Sequence, residues 1–256
     1  MAATPHVLVI PYSPLSSRCS SPRTTPSSTC SCSRFPSHPA LPAGVDYARD
    51  APPTLFAALI VAFAGLRGPL ASWVRERSRT PEDRVAAVLA DHSCRWAQPL
   101  AAELGVPGIV FSPSGVYGSA ALHSMFRRMP QHEDEDEVAA ADENPITFPD
   151  LPGAPAYPWR QLSLLYRTCR DGDDEVSEGV RRNFLWNLEA SAFVSNTFRR
   201  LEARYLAAPL ADLGGGGAVL CVEGMQRFFF WGNVSMHKFA RIRSSYIVAY
   251  RHKRDD

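Results

Sequence analysis

Residues 88–115 read VLADHSCRWAQPLAAELGVPGIVFSPSG, and this stretch decides the fold. With residues 85–87 ahead of it, the apolar run 85–90 has the length of a strand buried in a parallel sheet, and a carboxylate, Asp91, stands at its C-terminal end. Residues 93–104 carry helical spacing and stop at Gly105. Pro107 then leads into a second apolar run, 108–111, closed by the turn Ser112-Pro113-Ser114-Gly115. Strand, helix and strand in that order form a βαβ unit, whose strands lie parallel. Ligands of open parallel sheets bind at the C-terminal ends of the strands, which draws attention to Asp91.

Working outward from this unit, the alternation continues in both directions. Upstream, residues 54–78 carry apolar residues through two helical turns, break near Gly68-Pro69 and resume to a basic end, which reads as two packed helices. Near the N-terminus, HVLVIPY at 6–12 is a short apolar run ended by proline, the pattern of a first strand. Downstream, 118–129 reads as a helix, 131–144 as an acidic solvated loop and 145–158 as a Pro-rich loop. Helical periodicity follows in 159–169 and 175–190, then a strand at 193–197 and a helix at 198–206. This order predicts a doubly wound α/β fold. From Gly214 onward the glycine run, FFFW at 228–231 and the basic tail show no comparable order.

Composition narrows the partners. The 256 residues are 45% hydrophobic and 21% charged, which suits an α/β chain with one sizeable core. Basic and acidic residues number 27 and 26, so the net charge of +1 gives no field favouring nucleic acid or a membrane surface, and a small-molecule partner is expected. Six cysteines without regular spacing are no disulfide framework, and Cys30-Ser31-Cys32 lacks the ligand spacing of a zinc site. No metal is expected, and the consecutive carboxylates of 133–137 have no fixed geometry to hold one. The run Val7–Ile10 is too short for a signal-peptide core, so a cytoplasmic chain is expected. The longest apolar run, 55–66, is interrupted by Arg67 and falls below the ~20 residues that cross a bilayer.

One segment departs from this order. Of residues 13–37, 20 of 25 are Ser, Thr, Pro or Cys, a composition that cannot bury enough surface to offset its ordering entropy. Its Ser-rich, acid-free character also fits a plastid transit segment, although a strand precedes it.

Four stretches together carry a family likeness: PHVLVIPY at 5–12, the 88–115 stretch, FPDLPG at 148–153 and SNTFRRLE at 195–202. They resemble the plant secondary-metabolite UDP-glycosyltransferases. PPTLFAALIVAFAGLRGPLASWV at 52–74 and YPWRQLSLLYR at 157–167 are similar to the branch that glucosylates flavonols and other phenolics. The resemblance implies an inverting enzyme of GT-B fold, with two facing Rossmann-like domains, and it covers the N-terminal, acceptor-binding half. The expected architecture is therefore a Rossmann-like parallel sheet with flanking helices, left incomplete because 13–34 stands where a helix and second strand belong. The chain divides into a first strand (1–12), an aberrant Ser/Pro/Cys-rich segment (13–34), the acceptor-binding domain (35–213) and an aberrant tail (214–256). The family's donor-binding box, with its HCGWNS core, has no counterpart.

The resemblance also implies a chemistry. A phenol or alcohol is a poor nucleophile at neutral pH, so a histidine must take its proton as it attacks the sugar, and a carboxylate must orient that histidine. Asp91 matches the family's carboxylate, although Asp in this position is also a good cap for the helix expected from Ser93. The family's Gly-His pair falls on Ser16-Ser17, and serine is no base near pH 7. His92 is adjacent to Asp91, but neighbours on a strand face opposite sides, which places it poorly for Asp91 to orient. Ser112 and Ser114 match positions that line sugar and acceptor, with turn chemistry an equal alternative.

These expectations give a truncated, inactive UDP-glycosyltransferase. No cofactor is implied beyond the UDP-sugar co-substrate; the partner is a small phenolic acceptor, and the chain is monomeric. The alternative is a non-catalytic module holding flavonoids or a partner, its pocket lined by 55–66 and the Ser112 turn. A hydrolase finds no support, since GxSxG, HExxH and Walker patterns are all lacking.

Overall fold

The computed structural model describes residues 6–10, 35–45, 51–131, 145–169, 174–207, 218–221 and 246–248. Parallel strands form its centre: β1 (His6–Ile10), β2 (Val85–Asp91), β3 (Gly108–Ser112), β6 (Ala192–Ser195), β7 (Ala218–Cys221) and β8 (Tyr246–Val248). The spatial order is β7-β6-β3-β2-β1-β8. The helices are α1 (Phe56–Phe63), α2 (Arg67–Arg77), α3 (Ala97–Glu103), α4 (Val116–Arg128), α5 (Leu164–Arg167), α6 (Glu175–Leu185) and α7 (Arg199–Ala207). A short antiparallel pair, β4 (Ile146–Thr147) with β5 (Ala156–Tyr157), turns part of the Pro-rich stretch read as a loop into a hairpin.

The parallel α/β architecture expected from the 88–115 stretch is present, with β2 and β3 paired in register from Val88↔Gly108 to Asp91↔Phe111. Two expectations about its edges need correction. Residues 218–221 and 246–248, in the tail read as lacking order, join the sheet as β7 beside β6 and β8 beside β1. Runs of only three or four apolar residues carry no periodicity of their own, and pairing with an existing strand is what gives them structure.

The helical region 53–77 also differs from two helices packed on each other. Short 3₁₀ turns at Pro53–Leu55 and Ala64–Leu66 link α1 and α2 end to end, and every junction residue stays in the right-handed helical region. Gly68-Pro69 does not break the chain because Pro69 falls in the first turn of α2, where backbone N–H groups lack helical partners anyway. By length and composition alone, the resulting Pro53–Arg77 run could cross a membrane, longer than the 55–66 run suggested. Within it Leu59, Ile60, Ala62, Phe63, Ala71 and Val74 are buried in the protein.

Two apolar clusters hold these layers together. One gathers β1, β2 and α3 through Leu8, Ile10, Val88, Trp96 and Leu100, with Phe63 of α1 set edge-on to Trp96 at 5.6 Å. The other centres on Phe126 of α4 stacked on Phe184 of α6 at 4.2 Å, and takes in Ile60 of α1. Because α1 contributes to both, through Ile60 and Phe63, it ties the two clusters together.

Candidate functional site

Asp91 is the last residue of β2, and the chain leaves the sheet immediately after it. The backbone N–H of His92 still donates to the Phe111 carbonyl at 2.8 Å, continuing the ladder, but Ser93 has turned. The Asp91 carboxylate accepts the Ser93 N–H at 2.9 Å through Oδ1, and its carbonyl accepts the Cys94 N–H at 2.8 Å. This is an Asx turn, the habit of aspartate where a strand stops. Helix α3 starts only at Ala97, so Asp91 caps the turn ahead of the helix rather than the helix itself.

The same turn overturns the expectation about His92. Its Nδ1 lies 3.1 Å from Asp91 Oδ1, so the two adjacent side chains meet. Alternation of faces applies to extended backbone, and the bend at 92–93 swings the imidazole back to the carboxylate. Both side chains keep about a fifth of their surface exposed.

Ser112 ends β3 and is buried, its hydroxyl 2.8 Å from that of Ser119 and accepting the Ser114 N–H at 3.2 Å. Ser119 in turn donates to the Gly115 carbonyl at 2.9 Å. Ser114 is exposed, and the end of β6 pins its turn: Ser195 donates to the Ser114 carbonyl at 2.7 Å and Asn196 to the Pro113 carbonyl at 3.2 Å. The first two residues of SNTFRRLE thus hold the turn that follows β3. Its last residue reaches further. Glu202 accepts the backbone N–H groups of Val116 at 2.7 Å and Tyr117 at 3.1 Å, capping α4 from a position remote in sequence.

Three residues absent from the sequence-level site complete the arrangement. Arg95, on the turn before α3, is only 1% exposed, and its Nε, Nη1 and Nη2 have no hydrogen-bond partner among the described residues. Its guanidinium lies 3.2 Å from the centre of the Phe184 ring. Burial pushes it well below the usual arginine range, against the pull of Asp91. His123 of α4 is buried with Nε2 3.0 Å from Asn187 Nδ2 and Nδ1 unpartnered among the described residues. Burial, reinforced by Arg95, holds its imidazole well below the ordinary histidine range and so uncharged. His92 is the third. A histidine inside an apolar helical stretch and an arginine between cysteine and tryptophan give no signal in sequence, because only the fold turns them to one place.

That place is a small cleft at the C-terminal ends of β2, β3 and β6, lined by His92, Arg95, Ser112, Ser114, Ser119 and His123, with Leu122 and Phe193. Ser112 and Ser114 therefore do share a surface with His92, whereas neither Asp91 nor any residue of 55–66 lines it. The room it offers to the centre of a water molecule is about 10 Å³, enough for one water or an atom of that size. No group of three metal-ligating side chains occurs among the described residues. Ser16-Ser17, the acidic residues 132–144, the clustered Cys19, Cys30 and Cys32, and Gly214–Gly217 lie outside the described residues.

No family model matches the chain. It is 35% identical over 180 residues to UDP-glycosyltransferase 89B2 of Stevia rebaudiana, covering 70% of this chain and 36% of that protein. It is 33% identical over 180 residues to flavonol 3-O-glucosyltransferase UGT89B1 of Arabidopsis thaliana, covering 70% of this chain and 35% of the relative. The chain thus spans little more than a third of the length of these curated relatives. Among solved structures, UGT73P12 of Glycyrrhiza uralensis superposes with a TM-score of 0.51 at 21% identity, over 77% of this chain and 37% of that one. A UDP-glucosyltransferase from Polygonum tinctorium gives 0.51 at 19% identity, over 87% and 53%. At these identities the superpositions speak for the fold alone. Over 180 residues this chain is similar in sequence to plant UDP-glycosyltransferases, and its parallel α/β fold is that of part of the solved ones.

Proposed function

We propose that residues 35–213 are the acceptor-binding half of a UDP-sugar-dependent glycosyltransferase whose acceptor is a phenolic hydroxyl, and that residues 1–256 alone do not transfer sugar. The observation that carries this reading is the 33–35% identity over 180 residues to two plant UDP-glycosyltransferases, one of them named for a flavonol. Under it, Asp91 is the orienting carboxylate, and the imidazole within its reach is His92, at 3.1 Å. The carboxylate holds the Nδ1 proton, which leaves Nε2 as the atom that takes the acceptor's proton and stabilises the imidazolium that results. Ser114 at the cleft rim is a hydroxyl free to orient the acceptor, whereas Ser112 is committed to Ser119 and the turn.

The test separates binding from turnover. Purified chain titrated with a flavonol should show saturable quenching of tryptophan fluorescence at micromolar concentration, and incubation with UDP-glucose and the same flavonol should give no glucoside by liquid chromatography. A folded chain that leaves the flavonol unbound would overturn the acceptor-binding reading. Glucoside formation at more than a trace would overturn the claim of inactivity.

A further inference from the structure

We propose that the cleft beside the Asp91–His92 pair is a small-anion site built on Arg95, taking a chloride-sized ion or one oxygen of a carboxylate. Arg95 is a buried cation with no hydrogen-bonded counter-charge among the described residues. Arg95 is 99% buried, yet none of its three guanidinium nitrogens has a hydrogen-bond partner among the described residues. Its guanidinium lies over the face of Phe184, whose ring is stacked on Phe126 at 4.2 Å and perpendicular to His92 at 6.3 Å. An aromatic face attracts a cation but accepts none of its N–H groups. A guanidinium keeps its proton in proteins, so the cost of burying it is relieved by a counter-charge or water at its edge, not by deprotonation.

Asp91 does not supply that counter-charge directly. Its field reaches Arg95, but Oδ1 is taken by the Ser93 N–H and by His92, and no hydrogen bond joins the two side chains. What Arg95 does face is the cleft, where the neighbouring polar groups are the imidazole of His92 and the hydroxyls of Ser112, Ser114 and Ser119. The hydroxyls of Ser112 and Ser119 are engaged with each other and with the turn, and His92 directs its Nδ1 to Asp91, so the donors left for a ligand are Arg95 and Ser114. A guanidinium fork with a flanking hydroxyl donor suits a monoanion, and room for one water-sized atom selects chloride or a single carboxylate oxygen over phosphate. An organic ligand would place its carboxylate there with the rest of the molecule outside the cleft. The proposal is independent of the glycosyltransferase reading. Should that reading hold, a phenolic acceptor that also bears a carboxylate gains this contact over a neutral one.

Chloride-35 line broadening on the full chain at low ionic strength tests this. The parent should broaden the chloride signal in excess of Arg95→Met by at least tenfold per mole of protein, and Arg95→Lys should retain part of the effect. Methionine removes a buried unpaired charge while keeping the volume, so the variant is expected to fold, and circular dichroism checks that it does. Sodium acetate and sodium 4-hydroxybenzoate should displace chloride, while neutral 4-hydroxybenzamide should not. Displacement by 4-hydroxybenzoate at a tenth or less of the acetate concentration identifies an organic carboxylate as the occupant. Equal displacement by the two identifies a free small anion. Broadening that is the same in parent and Arg95→Met, or displacement by the amide as effective as by the carboxylate, overturns the proposal.

Discussion

Replacing Glu202 by alanine tests whether the SNTFRRLE stretch earns its place by capping α4 from the neighbouring helix α7. In the structure the carboxylate accepts two backbone N–H groups at 2.7 and 3.1 Å, is 9% exposed, and sits where α7 departs from helical geometry, with φ −127° and ψ 30° at Glu202 itself. The N-cap residue, Gly115, has no side chain to do this work. Hydrogen bonds to a charged acceptor contribute about 1.5–3 kcal/mol each, and a carboxylate at a helix N-terminus adds up to about 1 kcal/mol through the macrodipole. Water entering the vacated space recovers part of that for Tyr117, whose N–H is only part-buried. A loss of about 3 kcal/mol for Glu202→Ala is therefore expected, with Glu202→Gln, which keeps one acceptor but loses the charge, costing about 2 kcal/mol.

Gly115 supplies the control. A Cβ there would lie 2.7 Å from both Glu202 oxygens, although its φ of −65° suits any residue, so the clash with the cap is the reason for glycine. Gly115→Ala should thus cost much in the parent and little in the Glu202→Ala background, a coupling of about 2 kcal/mol. Urea unfolding of the four proteins, with m held equal, reads out the cycle. Additive losses, or a Glu202→Ala variant within about 0.5 kcal/mol of the parent, would refute the capping argument.

Two further outcomes follow from buried groups. His123 is held uncharged in the native chain, below the ordinary value near 6.5, so on acidification the unfolded chain binds a proton that the native chain refuses. Stability is unaffected by this group above about pH 6.5 and falls by up to about 1.4 kcal/mol per pH unit below it. Unfolding free energies from pH 7.5 to 5 should therefore show a shallower acid limb in His123→Gln, and parallel limbs would show that His123 titrates normally. Cys94 is fully buried, and its thiol is pushed well above the usual range first by burial and then by Asp91, so it stays protonated and shielded. Pulse alkylation with peptide mapping should leave Cys94 unlabelled in native buffer and modified in urea, whereas native-state labelling would mean that the turn after β2 opens.

How much of this could be read from sequence follows the range of each interaction. The βαβ unit was legible because its signals are local: two short apolar runs, a helical stretch between them, and Gly105 and Pro107 at the joins. Asp91 was legible as a strand-end carboxylate for the same reason. Local rules also set the errors. Alternation of faces correctly describes β2 up to Asp91 and fails one residue later, because the Asx turn that aspartate itself makes takes His92 out of the strand. Gly68-Pro69 looks like a break in isolation, yet at the first turn of a helix proline costs no hydrogen bond. The hairpin β4–β5 and the edge strands β7 and β8 are too short for any pattern, and their neighbours in space define them.

Arg95 and His123 show why the rest of the site was hidden. Each sits in a stretch where the surrounding residues point to packing: Arg95 between Cys94 and Trp96, both fully buried, and His123 among the buried Ala120, Ser124 and Phe126 of α4. A polar residue so placed is ordinarily satisfied by its own neighbourhood, and sequence cannot distinguish that case from one in which it faces a cleft. The distinction lies in partners, which are long-range: Asn187 for His123 and a phenyl face for Arg95, with His123 Nδ1 and the guanidinium nitrogens unpartnered among the described residues and both side chains lining the same small cleft. A site assembled from residues on β3, α4, β6 and the turn after β2 has no sequence motif as a whole. Its chemistry is therefore to be sought among buried polar atoms that the fold leaves unsatisfied, and among the described residues those of Arg95 and His123 belong to side chains lining the cleft beside Asp91 and His92.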